Sequence, residues 1–230
     1  MPKDHNGHRN RLRNKFIKYG ADGLEQHELI ELFLFYVFSQ RNTNDIAHDL
    51  IGTFGSISSV FDAPLEDLIN IKWIGYNSAI LLKLIPEISR IYLLDKHNNR
   101  NKIMDMDSIR KMAINNFIGR SEEKIMLILL DIKMKLLFSG IIGNGNVNFV
   151  DVYIQKIIKL ASDYGASKAV LVHNHPSGIA LPSRNDLKTT AALKDVLRIV
   201  NVKLLDHIIV ADNDCVAISE TELGKDIFKL

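Results

Sequence analysis

The segment His173-Asn174-His175-Pro176-Ser177-Gly178, continued by Ile179-Ala180-Leu181-Pro182-Ser183-Arg184-Asn185-Asp186, carries residue types suited to holding a metal ion. Side chains two residues apart on a strand point the same way, so His173 and His175 aim two imidazoles at one point as a strand ends. Ser183-x-x-Asp186 reads as a helix start, a serine N-cap with a carboxylate three residues on. That fold-back brings Asp186 towards the histidines. Two neutral imidazoles and one carboxylate suit Zn²⁺ with a fourth position left for water, the open arrangement of a catalytic site. Each half has a plainer reading by itself. A lone His-x-His is a weak metal signal, and Ser-x-x-Asp alone is ordinary helix capping. Together, at this spacing, they are a much stronger sign of a metal site.

The elements that must position these side chains follow from apolar patterning. Ala169-Val170-Leu171-Val172 leads into the segment as a buried strand, and Pro176, Ser177 and Gly178 break it. Glu123–Leu130 and Leu136–Ile142 read as two more strands, joined at Asp131-Ile132-Lys133. Val202–Val210 and Cys215–Ile218 close the region as strands. Asp107–Phe117 is helical. Ile154, Ile157, Ile158 and Ala161 share one helical face, and Leu193, Val196, Leu197 and Val200 continue helical spacing after Asp186. The pattern predicts a mixed sheet with helices packed on it.

His-x-His, seven residues, then Ser-x-x-Asp is the signature of the JAMM (MPN+) metalloprotease fold. The flanking form, His-Asn-His-Pro-Ser-Gly followed by Pro-Ser-x-x-Asp, resembles the RadC family, bacterial proteins with a JAMM-type domain. The resemblance runs from about Arg11 to Gly224. It implies an α+β protein, an N-terminal all-helical domain followed by an α/β JAMM domain (cytidine-deaminase-like) with a mixed sheet. We place the helical, helix-hairpin-helix-like domain at 1–94, a linker at 95–103 and the metal-binding domain at 104–230. The resemblance also implies an upstream glutamate at the start of a strand. Matching the aspartate that closes the corresponding RadC strand to Asp131 puts that glutamate at Glu123, and a register slip of one would make it Glu122. The two exclude each other, because neighbouring strand residues face opposite sides.

On this reading His173, His175 and Asp186 are zinc ligands. Glu123 is the general base and then acid, and Ser183 donates a hydrogen bond to the oxyanion. The expected activity is hydrolysis of a peptide or isopeptide bond in a protein or peptide substrate. Asp206-His207 matches an Asp-His of RadC relatives and reads as a hydrogen-bonded core pair rather than as metal ligands. One departure stands out. Relatives carry His-Pro-Arg-Glu at the start of a helix where this chain has Tyr153-Ile154-Gln155-Lys156.

The N-terminal hundred residues are helical in pattern. Residues 5–19 hold His5, His8, Arg9, Arg11, Arg13, Lys15 and Lys18, read as a solvated helix face; the competing reading is an arm that touches phosphates. Leu24–Phe38 is apolar nearly all round and reads as one buried helix. Short helices are expected near Thr43–Thr53 and Ser56–Phe61. Leu65–Asn70, Ile71-Lys72-Trp73-Ile74-Gly75 and a helix from Asn77 resemble a helix-hairpin-helix, whose turn offers backbone N–H groups to a DNA phosphate. Trp73 stands where relatives have the first glycine of that turn, and a bulky residue tolerates positive φ poorly. Ser78 replaces a common lysine. Basic and acidic residues balance at 12 each over residues 1–100. A weak DNA contact through this region is therefore an alternative role, in keeping with the family's association with DNA repair.

Net charge over 230 residues is only +2, which gives no global case for nucleic acid. The single cysteine, Cys215, forms no internal disulfide and reads as buried strand. No apolar run is long enough to span a membrane, and the N-terminal residues are polar. The expectation is a cytoplasmic protein with no membrane contact.

Overall fold

The structure is a computed structural model and describes residues 5–39, 41–97, 103–145, 149–176, 178–212 and 214–229. By compactness the chain divides into Met1–Ile88 and Ser89–Leu230. The boundary falls inside the long helix α6, Tyr76–His97. The expected linker at 95–103 includes residues 98–102, which lie outside the described residues.

The first unit contains α1 (His5–Tyr19), α2 (Gln26–Leu34), α3 (Asn44–Phe54), α4 (Ile57–Asp62) and α5 (Leu65–Ile69). Its core gathers Ile30 and Leu34 with Ile46, Leu50, Val60, Leu68, Ile74 and Leu82. The single helix expected over Leu24–Phe38 is shorter. A capping box between Glu25 and Glu28 starts α2 at Gln26. Beyond Leu34 the apolar run passes into a turn, with the Phe38 N–H donating back to the Leu34 carbonyl at 2.9 Å. The Arg9 guanidinium donates to the carbonyls of Phe38 at 2.5 Å, Arg41 at 2.7 Å and Ser39 at 2.9 Å. The solvated reading of α1 holds for Arg11 and Lys18, which are exposed, and fails for Arg9 and for the ion-paired His8 and Lys15. Arg9 is 7% exposed, His8 meets Glu31 at 3.0 Å and Lys15 meets Glu28 at 2.6 Å.

In the turn before α6, Trp73 adopts φ 75°, the left-handed backbone that glycine would take freely. Its ring is exposed and lies 3.7 Å below the Arg41 guanidinium. Ser78 caps the turn internally. Its Oγ accepts from the Gly75 N–H at 2.9 Å and donates to the Gly75 carbonyl at 2.9 Å.

The second unit contains α7 (Met106–Phe117), β1 (Lys124–Leu130), β2 (Leu136–Asn144), α8 (Phe149–Asp163), β3 (Lys168–Asn174), α9 (Arg184–Ile199), β4 (Lys203–Ala211), β5 (Asp214–Ala217) and α10 (Lys225–Phe228). The strands form one five-stranded sheet in the order β2-β1-β3-β4-β5. β3 and β4 are parallel, joined through α9, and the other pairs are antiparallel. Both faces are covered. Met126, Ile128, Leu130, Val170 and Val172 pack with Ile109, Met112 and Phe117 of α7. Ile125, Leu127, Leu129, Ala169 and Leu171 pack with Ile157 of α8 and Leu193 and Leu197 of α9. Two covered faces explain why β1 and β3 read as unbroken apolar runs rather than alternating ones. Cys215 lies in β5, half-buried, and burial raises its thiol pKa. No helix among the described residues is long and apolar enough to cross a membrane.

Candidate metal centre

The site forms where β3 runs out. His173 is the penultimate residue of β3, on the face covered by α9, and His175 follows the strand end. The His175 N–H donates to the Val210 carbonyl at 2.8 Å, so the backbone keeps its extended course beside β4. The two rings therefore stay on one side. Their Nε2 atoms are 2.9 Å apart. Asp186 arrives from the first turn of α9. The capping box that starts this helix also aims the carboxylate: Oδ2 accepts from the Ser183 N–H at 2.7 Å, and Ser183 Oγ accepts from the Asp186 N–H at 3.1 Å. Asp186 Oδ1 then stands 3.3 Å from His173 Nε2, and Oδ2 3.8 Å from His175 Nε2. Capping and ligation are two uses of one carboxylate here rather than competing explanations.

The His173–Asp186 contact is not an ion pair. Burial pushes the His173 pKa down to about 4, although Asp186 pulls it up, so the ring is neutral at pH 7. The His175 Nδ1–H donates to the Ile179 carbonyl at 3.3 Å, which leaves its Nε2 lone pair facing His173. One donor atom each from His173, His175 and Asp186 lies within 4.8 Å of the others. Two imidazole nitrogens and a carboxylate oxygen converging at this distance fit a tetrahedral Zn²⁺ with a position to spare.

Glu123 precedes β1. The antiparallel register pairs Ile125 with His173, and continued by two residues it sets Glu123 opposite His175. Its carboxyl is seated over Gly145, where a Cβ would lie 2.1 Å from Glu123 Cδ. The Gly145 N–H donates to the Glu123 carbonyl at 2.9 Å. Burial raises the Glu123 pKa above the ordinary glutamate value, with His175 opposing the shift and Asp186 adding to it. Glu122 points elsewhere. Its carboxylate is exposed and pairs with Lys124 at 2.5 Å. Ser183 is exposed at the start of α9, with Oγ accepting from the Asp186 N–H.

Residues outside the expected ligand and base set hold this frame, and nothing in the sequence signals the part played by Asn174. Asn174 is 4% exposed. Its Oδ1 accepts from the Lys124 N–H at 2.8 Å, and its Nδ2 donates to the Glu122 carbonyl at 3.1 Å. The residue between the two histidines thus grips the chain on both sides of Glu123. Tyr153, the first residue of the segment that departs from the expected RadC pattern, is buried. Its hydroxyl accepts from the Asn144 N–H at 3.0 Å and donates to the Asn144 carbonyl at 2.9 Å. Lys156 donates to the Ile142 carbonyl at 2.7 Å. The departure from the expected segment therefore fastens the end of β2, next to the Gly145 seat. His207 lies behind His173, 2.8 Å from its Nδ1, and Thr190 lies behind His207. The neighbouring Asp206 is buried. It accepts from the hydroxyl and N–H of Ser219 and from the His207 N–H.

With this geometry in place, the comparisons give its relatives. The family model of the RadC-like JAB domain matches residues 103–223, and the UPF0758 N-terminal model matches residues 5–80. A UPF0758 protein of Fusobacterium nucleatum is 33% identical over 219 residues, 92% of this chain and 94% of that relative. One from Dechloromonas aromatica is 33% identical over 204 residues, covering 88% and 90%. One from Herminiimonas arsenicoxydans is 29% identical over 210 residues, covering 91% and 94%.

Proposed function

The chain belongs to the RadC family of JAB-domain proteins, and on that premise we propose that it is a zinc-dependent metallohydrolase that cleaves a peptide or isopeptide bond. The observation that carries the proposal is the convergence of His173, His175 and Asp186 on one point, with a half-buried carboxyl, Glu123, beside it. His173, His175 and Asp186 would hold the ion. A zinc ion bound there would supply Lewis acidity and lower the pKa of bound water towards about 7. Glu123 takes the proton from the attacking water and returns it to the leaving amine. Burial raises its pKa above the ordinary glutamate value, which favours the proton-carrying form that later acts as the acid. Ser183 turns its hydroxyl hydrogen to the developing oxyanion, a contact worth roughly 3–4 kcal/mol in sites of this kind.

The DNA-contact reading has less behind it. The Gly75 N–H, which such a turn would offer to a phosphate, is bonded to Ser78, and the indole of Trp73 occupies the glycine position.

The test uses zinc-loaded full-length protein and a library of peptides and isopeptide-linked peptides. Cleavage that stops with a chelator, and stops in Glu123→Gln while zinc content is kept, supports the proposal. Zinc-loaded wild type that cleaves none of the library would make this a structural metal domain instead.

A further inference from the structure

A chain of hydrogen bonds joins two of the ligand residues through the interior. His173 Nδ1 meets His207 Nε2 at 2.8 Å, His207 Nδ1 meets Thr190 Oγ1 at 2.7 Å, and Thr190 Oγ1 meets the Asp186 carbonyl at 2.6 Å. Its members are closed to water: His173 is 3% exposed, His207 2% and Thr190 0%. Each neutral ring carries one proton, and the hydroxyl has one to give. Thr190 has two acceptors in reach, His207 Nδ1 and the Asp186 carbonyl. Either choice fixes every proton behind it.

At the other end, His175 donates its Nδ1–H to Ile179, so it brings a bare Nε2 to the 2.9 Å contact with His173 Nε2. Without a cation, the His173 proton must sit on Nε2, since two lone pairs would otherwise face each other. His173 Nδ1 then accepts from the His207 Nε2–H, and His207 Nδ1 accepts from the Thr190 hydroxyl. With a cation on His173 Nε2 that proton must be on Nδ1. His207 Nε2 then accepts, His207 Nδ1–H donates to Thr190, and the Thr190 hydroxyl turns to the Asp186 carbonyl. In the metal-free order the Thr190 hydroxyl has no hydrogen for the Asp186 carbonyl, so Oγ1 must draw back from that 2.6 Å contact, while the carbonyl keeps its place in the helical ladder of α9. Each ring holds one proton throughout.

We propose that His207, seated by Thr190, is a positioning residue that reverses its tautomer when the site is loaded and so presents the bare Nε2 of His173 to the metal. This rests on the metal-site reading above. Partners that orient a ligating histidine typically change metal affinity 10–100-fold when lost.

The test is long-range ¹H–¹⁵N correlation spectroscopy of histidine-labelled full-length protein, without metal and with one equivalent of zinc. It is paired with zinc titrations of His207→Leu, His207→Gln and Thr190→Val. The expected metal-free protein carries Nε2–H on both His173 and His207, and both move to Nδ1–H on loading. His207→Leu should weaken zinc binding about 10–100-fold. His207→Gln, whose amide can turn to donate or accept, should restore most of it. Thr190→Val, of nearly equal shape, should weaken zinc binding while keeping the wild-type melting curve. A metal-free His207 carrying Nδ1–H, an unchanged tautomer on loading, or wild-type affinity in His207→Leu would each overturn the inference. If wild-type protein takes up no zinc, the metal-site reading fails, and the metal-free spectrum still decides the proton order of the chain.

Discussion

Asn174 Oδ1 accepts the Lys124 N–H at 2.8 Å across the β3–β1 boundary, tying the histidine strand to the segment that carries Glu123. With Nδ2 on the Glu122 carbonyl, one side chain fixes both peptide groups that flank the proposed base. Asn174→Ala leaves these groups short of partners, at a cost of about 1–3 kcal/mol, read by denaturant unfolding. It should keep zinc stoichiometry and lower turnover on any peptide the wild type cleaves, by roughly 10²-fold if Glu123 shifts by about 1 Å. Asn174→Asp keeps the acceptor, loses the donor and should fall between. Turnover at wild-type level in Asn174→Ala would remove the link to Glu123.

Gly145 is where the Glu123 carboxyl rests. In Gly145→Ala the added Cβ meets the far end of a movable side chain, at 2.1 Å from Cδ, so the carboxyl swings aside. The fold should lose less than about 1 kcal/mol, in the range of ordinary substitutions away from the core. Zinc binding should be unchanged, and turnover should fall to near that of Glu123→Gln. A melting curve, a zinc titration and one rate suffice to check this.

Burial holds His173 down at about 4 and lowers His207 well below 6.5. In the unfolded chain both take up protons near their ordinary value of 6.5, so below it the unfolded state binds more protons than the folded one. Stability of the metal-free protein is therefore complete above pH 6.5 and lost as pH falls from 6.5 towards 4. The slope approaches about 1.4 kcal/mol per pH unit for each histidine. Urea unfolding in chelator at pH 7.5, 6 and 5 measures it, and the slope should shrink in His207→Gln.

Arg9 gathers carbonyls from the chain beyond α2. A lysine has the charge but not the planar fork that reaches several acceptors at once. Arg9→Lys should lower the stability of the N-terminal unit by about 1–3 kcal/mol through carbonyls left without donors, with no effect on zinc binding. Limited proteolysis within residues 35–41 reads the local loss.

The parts of this molecule legible in the sequence are those written in short spacings. His173, His175, Ser183 and Asp186 lie within fourteen positions, and strand alternation and helix capping bring them together whatever the rest does. The apolar runs of β1 and β3 announced strands for the same reason. Asn174 read only as the spacer of His-x-His, because its role depends on a register with residues 122 and 124, fifty positions away. His207 read as a core histidine and is one, but its distance from His173 depends on the parallel pairing of β3 with β4. Arg9 read as one more charge on a basic face, since the carbonyls that bury it belong to a turn with no pattern of its own. Trp73 shows the opposite error: the turn takes positive φ in spite of its side chain, with Arg41 packed on the ring.

The most direct test of the account is a crystal structure of the full-length protein grown with zinc, with anomalous data collected on both sides of the zinc edge. The account predicts one strong peak bonded to Nε2 of His173, Nε2 of His175 and the Asp186 carboxylate, with the Glu123 carboxyl facing its open side. Side chains of His173, His175 and Asp186 turned away from a common point, or zinc bound elsewhere, would contradict it.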